Sequence, residues 1–143
     1  MSSSFIDTSG WATLFDAHQP FNQLAINTFK MLRSQRSRII TTNYVIAELV
    51  ALFNSPLRLP RSTIFTTIDA IKTNPHVEII HITPEMDTEA WNLCKARPDK
   101  TWSLVDCTSF ILMQQLNIQP ALTTDRHFEQ AGFICLLKPE LKN

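Results

Sequence analysis

Residues 121–137, Ala-Leu-Thr-Thr-Asp-Arg-His-Phe-Glu-Gln-Ala-Gly-Phe-Ile-Cys-Leu-Leu, decide the fold class. Ala121 to Thr123 reads as a short buried strand, Arg126 to Ala131 as one or two helical turns stopped by Gly132, and Phe133 to Leu137 as a second apolar strand. A strand, a helix and a strand in so few residues is a parallel crossover unit. Asp125 falls directly after its first strand.

The same alternation extends back to the first residues. Ser4 to Asp7, Arg38 to Thr41 and Val77 to Ile82 read as three further strands. Between them the apolar spacing predicts helices from Trp11 to Phe15, from Pro20 to about Gln35, and from a Thr42 or Asn43 cap to about Phe53. Further helices are predicted from Arg61 to Lys72, from Pro84 to about Arg97, and from a Ser103 cap to about Leu116. The expectation is one α/β domain over residues 1–143, three layers α/β/α, around a five-stranded mainly parallel sheet. At 143 residues one core suffices.

Composition removes several function classes. Thirteen Lys and Arg balance thirteen Asp and Glu, so a uniformly basic nucleic-acid coat is excluded. Only Gly10 and Gly132 occur, too few for a phosphate-binding loop or a dinucleotide fingerprint. No apolar run approaches the ~20 residues of a membrane span, and no secretory signal opens the chain. Cys94, Cys107 and Cys135 have neither disulfide-framework nor zinc spacing, which points to a reducing cytoplasm. His18, His76, His81 and His127 are scattered; His127 reads as an exposed short-helix histidine, with a substrate-orienting role two residues from Asp125 as the alternative. No G-x-S-x-G elbow is present.

In a wound parallel sheet, ligands gather at the carboxyl edge of the strands. Four acids are predicted there: Asp7 closing the first strand, Glu48 in the helix after the second, Asp106 in the first turn of the Ser103 helix, and Asp125. Asp106 shares a helix face with Phe110 and Met113, where an unpaired carboxylate is costly. Glu48 sits at the shoulder of the apolar arc of Val45, Ile46, Leu49, Leu52 and Phe53. Each has a plainer account: Asp7 and Asp125 as turn caps, Ser103-x-x-Asp106 as a capping box, Glu48 as a solvated helix residue. Together, clustered carboxylates call for a hard divalent cation among them.

The segments Phe5-Ile6-Asp7-Thr8-Ser9, Thr41 to Leu49, Trp102 to Phe110 and Ala121 to Phe133 resemble, in order, those of the PIN-domain family and its VapC-type toxin ribonucleases. The resemblance implies that Asp7, Glu48, Asp106 and Asp125 hold one or two Mg²⁺ or Mn²⁺ ions and cleave RNA phosphodiesters. It also implies Ser103, Thr8 and Thr124 as supporting polar groups, homodimer formation and, for a toxin, a small antitoxin partner. Arg58 and Arg61, with Lys95, Arg97 and Lys100, flank the predicted edge as candidate RNA contacts. A non-catalytic PIN-like interaction module and a ribonuclease-H-like nuclease are the alternatives, the latter requiring an antiparallel meander. A haloacid-type phosphatase requires an Asp where Ser9 stands.

Overall fold

The computed structural model describes residues 2–138. Five strands, β1 (Ser3–Ile6), β2 (Arg38–Thr42), β3 (Val77–Ile80), β4 (Pro120–Leu122) and β5 (Ile134–Cys135), form one sheet in the order β3-β2-β1-β4-β5. All four pairings are parallel, which sets aside the meander of the ribonuclease-H-like alternative. The helices are α1 (Thr8–Phe15), α2 (Asn22–Ser34), α3 (Asn43–Asn54), α4 (Arg61–Thr73), α5 (Pro84–Ala96), α6 (Leu104–Gln115) and α7 (His127–Gln130). Winding runs outward from β1 to β3, then returns past β1 to β4 and β5, so the topological switch lies between β1 and β4. Among the described residues, no helix is long and apolar enough to cross a membrane.

The predicted caps explain where the helices begin. Thr42, rather than Asn43, caps α3 by accepting the Val45 amide at 3.1 Å, while Asn43 Oδ1 accepts the Ile82 amide at 2.8 Å. Thr83 caps α5 ahead of Pro84, and Ser103 and Asp106 form a complete capping box on α6. Several predicted boundaries move: α1 begins at Thr8 rather than Trp11, β5 keeps only Ile134–Cys135 of the predicted Phe133–Leu137, and two further shifts have a visible cause. Pro20 stays outside α2, because the Asn22 side chain donates to the Thr13 and Leu14 carbonyls at 2.8 and 3.2 Å and fixes the start of the helix at the end of α1. Strand β3 stops at Ile80 rather than Ile82, since its partner β2 ends at Thr42 in register with Ile80.

Two polar and aromatic ties seat the helices on the sheet. Buried Trp11 donates its indole N–H to Thr41 Oγ1 at 3.1 Å, and that hydroxyl donates to the Ile6 carbonyl at 2.8 Å, joining α1, β2 and β1. Beyond β1, Phe110 packs edge-on against Phe128 (centroids 5.0 Å apart) and Trp102 (5.1 Å), and stacks with Phe133 at 5.7 Å. This cluster fixes α6 and α7, the helices beside which Asp106 and Asp125 lie.

Gly10 lies inside α1, where the sequence suggested only a turn after Asp7. A Cβ on it would stand 1.9 Å from the Leu122 carbonyl oxygen and 2.9 Å from Ile6 Cγ2. The missing side chain lets the first turn of α1 press on the end of β4. Gly132, at φ 96°, terminates α7 in the left-handed region. Gly10→Ala is therefore expected to destabilise the protein by about 3 kcal/mol or more, measured by urea unfolding; a loss below about 1 kcal/mol contradicts the close-approach account.

Candidate metal centre

Asp7 ends β1 and caps α1. Its Oδ1 accepts the Gly10 amide and the Ser9 hydroxyl, both at 2.8 Å, and its Oδ2 accepts Thr123 Oγ1 at 2.8 Å. Thr123 follows β4, so this last bond crosses the topological switch. The Thr123 hydroxyl also accepts the Asp125 amide at 2.9 Å, and Ser9 Oγ accepts the Thr124 amide at 3.0 Å. Ser9 and Thr123 thereby tie the two acids after β1 and β4 into one network.

Glu48 comes from the second turn of α3 and receives Thr8 Oγ1 on Oε1 at 2.5 Å. Asp106 Oδ2 closes the capping box by accepting the Ser103 amide at 3.0 Å. His127 Nδ1 lies 3.0 Å from Asp106 Oδ2 and 3.3 Å from Asp125 Oδ1, and its Nε2 lies 3.2 Å from Thr101 Oγ1. The His127 amide donates to Asp125 Oδ1 at 2.9 Å. Its imidazole is half-buried between the two acids, not the exposed helix residue anticipated from its short helix.

All four acids line one cavity of about 220 Å³, walled by Thr8, Ser9 and Ser109 and by apolar Val45, Leu52 and Phe128. Of the supporting polar residues, Thr8 holds Glu48 and Ser103 holds Asp106. Thr124 contributes its backbone amide, and its exposed side chain lines a neighbouring cavity with Ser9 and Gln19. None of the five candidate RNA-contact residues lines the acidic cavity. Arg97 pairs with Asp99 at 3.0 Å and lies over the Trp102 ring at 5.2 Å, and Arg61 lies over Phe65 at 4.9 Å.

Burial dominates the electrostatics. It pushes the Asp7 carboxyl up from 3.8 to about 7, against the Gly10 amide and the Thr123 and Ser9 hydroxyls, with Asp125 adding repulsion. Burial also raises Glu48; the Thr8 hydroxyl opposes this, while Asp106 and Asp125 reinforce it. Asp106 is raised by burial, opposed by the Ser103 amide and His127, and raised again by Asp125. Three carboxyls thus resist ionisation for want of a compensating positive charge. Asp106, Asp125 and His127 each offer one ligand atom, all within 4.8 Å of one another. A predominantly carboxylate set of this size fits a hard divalent cation.

The shift fixes a pH dependence of folding. Asp7 in the metal-free protein keeps a proton, between pH 3.8 and about 7, that the unfolded chain has released. Its contribution is therefore complete below 3.8 and is lost as pH rises through about 7. Urea unfolding in a chelator is expected to show stability falling over this window. Asp7→Asn should flatten the fall and be more stable than wild type near pH 8 by about 2 to 4 kcal/mol. Identical pH profiles for the two proteins would contradict the burial of this carboxyl.

Three comparisons bear on this geometry. The PIN-domain family profile matches residues 4–134. The 23S rRNA-specific endonuclease VapC20 of Mycobacterium tuberculosis (strain ATCC 25618 / H37Rv) is 30% identical over 130 residues, covering 91% of this chain and 95% of that protein. The crystal structure of M. tuberculosis VapC20, described as a sarcin-ricin loop cleaving toxin, superposes with a TM-score of 0.79 at 29% identity over 92% of this chain and 97% of that one. FitAcB from Neisseria gonorrhoeae shares the fold, with a TM-score of 0.64 at 14% identity over 92% of this chain and 95% of that chain. With the profile spanning nearly the whole sequence and the acids meeting at the switch between β1 and β4, the chain belongs to the PIN-domain family.

Proposed function

We propose that this chain is a VapC-type, metal-dependent endoribonuclease acting as one PIN-like domain over residues 1–143. In this reading Asp7, Glu48, Asp106 and Asp125 hold one or two Mg²⁺ or Mn²⁺ ions. The observation that carries it is the convergence of four carboxylates, from four separate parts of the chain, on one cavity where burial raises three of them. When bound, a divalent ion polarises a phosphate oxygen and makes a coordinated water more acidic. The chain's own part is to hold the ligands. Gly10, Ser9 and Thr123 orient Asp7, Thr8 orients Glu48, and His127 spans Asp106 and Asp125.

RNA is the proposed substrate, and the sarcin–ricin loop of 23S rRNA is the first to test, because VapC20 is described as cutting it. Four of the 13 acids belong to the site, leaving 9 acids against 13 bases elsewhere, a balance compatible with a polyanion. Arg58, Arg61, Lys95, Arg97 and Lys100 are the proposed phosphate contacts. Exposed Phe15, Leu24, Met31, Phe65 and Trp91 supply apolar area for other chains, in keeping with a homodimer and a small antitoxin. Three free cysteines fit a cytoplasmic setting.

Asp7→Asn and Asp106→Asn are expected to lower Mg²⁺- or Mn²⁺-dependent cleavage of this RNA by about a hundredfold or more, and His127→Asn by about ten- to a hundredfold, with circular dichroism unchanged. Full activity in either acid variant overturns the site assignment, and no metal-dependent turnover on any RNA favours the non-catalytic alternative. Replacing Arg97 and Lys100 together with Ala should reduce the salt slope of RNA binding by about one to two. An unchanged slope removes those two residues from the RNA contacts.

A further inference from the structure

The sulfurs of Cys94, in the last turns of α5, and Cys107, in the first turn of α6, lie 3.1 Å apart. Cys94 is half-buried and also lies 3.7 Å from the carbonyl of Ser103, the α6 cap; Cys107 is fully buried. A disulfide has its sulfurs about 2.05 Å apart, so an approach of about 1 Å separates this thiol pair from a bond. Cys135 sits away from the pair, its sulfur 3.8 Å from the Asp125 carbonyl. The two paired thiols are thirteen residues apart, and among the described residues neither sulfur hydrogen-bonds to an acid of the centre.

We propose that Cys94 and Cys107 form a redox-modification site, which hydrogen peroxide converts into a disulfide joining α5 to the first turn of α6. Cys94, the more accessible of the two, attacks a peroxide oxygen; the O–O bond breaks, one water leaves, and Cys94 becomes a sulfenic acid. The Cys107 sulfur then attacks the Cys94 sulfur, the S–O bond breaks, and the hydroxyl leaves as a second water with the remaining thiol proton. Two thiols and one hydrogen peroxide give one disulfide and two waters, the peroxide being the oxidant that is reduced. The closed loop holds Lys95, Arg97, Lys100, Trp102 and the Ser103–Asp106 capping box. Oxidation therefore staples the segment that carries both an acid of the centre and three of the proposed phosphate contacts.

The test exposes the purified full chain to hydrogen peroxide, quenches, and alkylates under denaturing conditions. The expected product has lost two hydrogens, retains one alkylatable thiol instead of three, and yields one linked peptide pair containing Cys94 and Cys107, reversed by dithiothreitol. Amide exchange over residues 95–106 should slow by about tenfold in the oxidised protein relative to the reduced one. Cys94→Ser and Cys107→Ser, each checked for native circular dichroism, should give no intramolecular link and no slowing. Three alkylatable thiols after treatment, a link involving Cys135, or sulfinic acid at Cys94 without a link overturns the proposal. None of these readouts depends on RNA cleavage, so the nuclease assignment stands or falls separately.

Discussion

A carboxylate held at the end of the central strand, nearly out of contact with water, must have every lone pair engaged or a cation beside it. Asp7 is in that position, and the elements around it are arranged to serve it. The α1 terminus turns its Gly10 amide onto Oδ1, Ser9 folds its hydroxyl back over both oxygens, and Thr123 reaches across from the end of β4 to Oδ2. These bonds require α1 to lie almost against the Leu122 backbone, which only a residue without Cβ at position 10 permits. The close approach and the buried acid are one structural solution: loosening the first exposes the second.

Even with those bonds, burial prevails and the carboxyl retains its affinity for a proton to about neutral pH. The same holds in direction for Glu48, which receives the Thr8 hydroxyl, and for Asp106, where the Ser103 amide and His127 together do not offset burial. The arrangement is under-compensated, and a bound cation would supply the missing positive charge. Stability of the metal-free chain is given up at the place where a bound ion would recover it, the trade-off expected of a functional site. The aromatic cluster of Phe110, Phe128, Phe133 and Trp102 lies beneath this polar rim and keeps α6 and α7 in place while the acids repel.

Much of this was legible in the sequence because it depends on local rules. Strand and helix order, the Thr42 and Ser103 caps and the placing of four acids at one edge follow from periodicity, capping chemistry and winding. What escaped depends on contacts between remote segments. Pro20 suggested a helix start, yet the Asn22 amide bonds to α1 decided it. The length of β3 was set by its partner strand. Ser9 and Thr123 are ordinary hydroxyl residues whose role appears only when positions 7 and 123 meet, and His127 reads as a surface residue until Asp106 is brought beside it. Cys94 and Cys107 have no recognisable spacing, because the packing of α5 on α6, not a motif, puts their sulfurs together.

The bond between Asp7 and Thr123 spans 116 residues, and it closes the floor of the centre. During synthesis the first strand, its acid and the α3 carboxylate leave the ribosome long before β4, so the early part of the chain can pair β1 with β2 but has no fourth wall. Contacts of such separation also make the final closure slow relative to local helix formation. Asp125 therefore joins Asp7 only once β4 has been made and paired with β1. A centre closed by so remote a bond is completed together with the sheet and not before it.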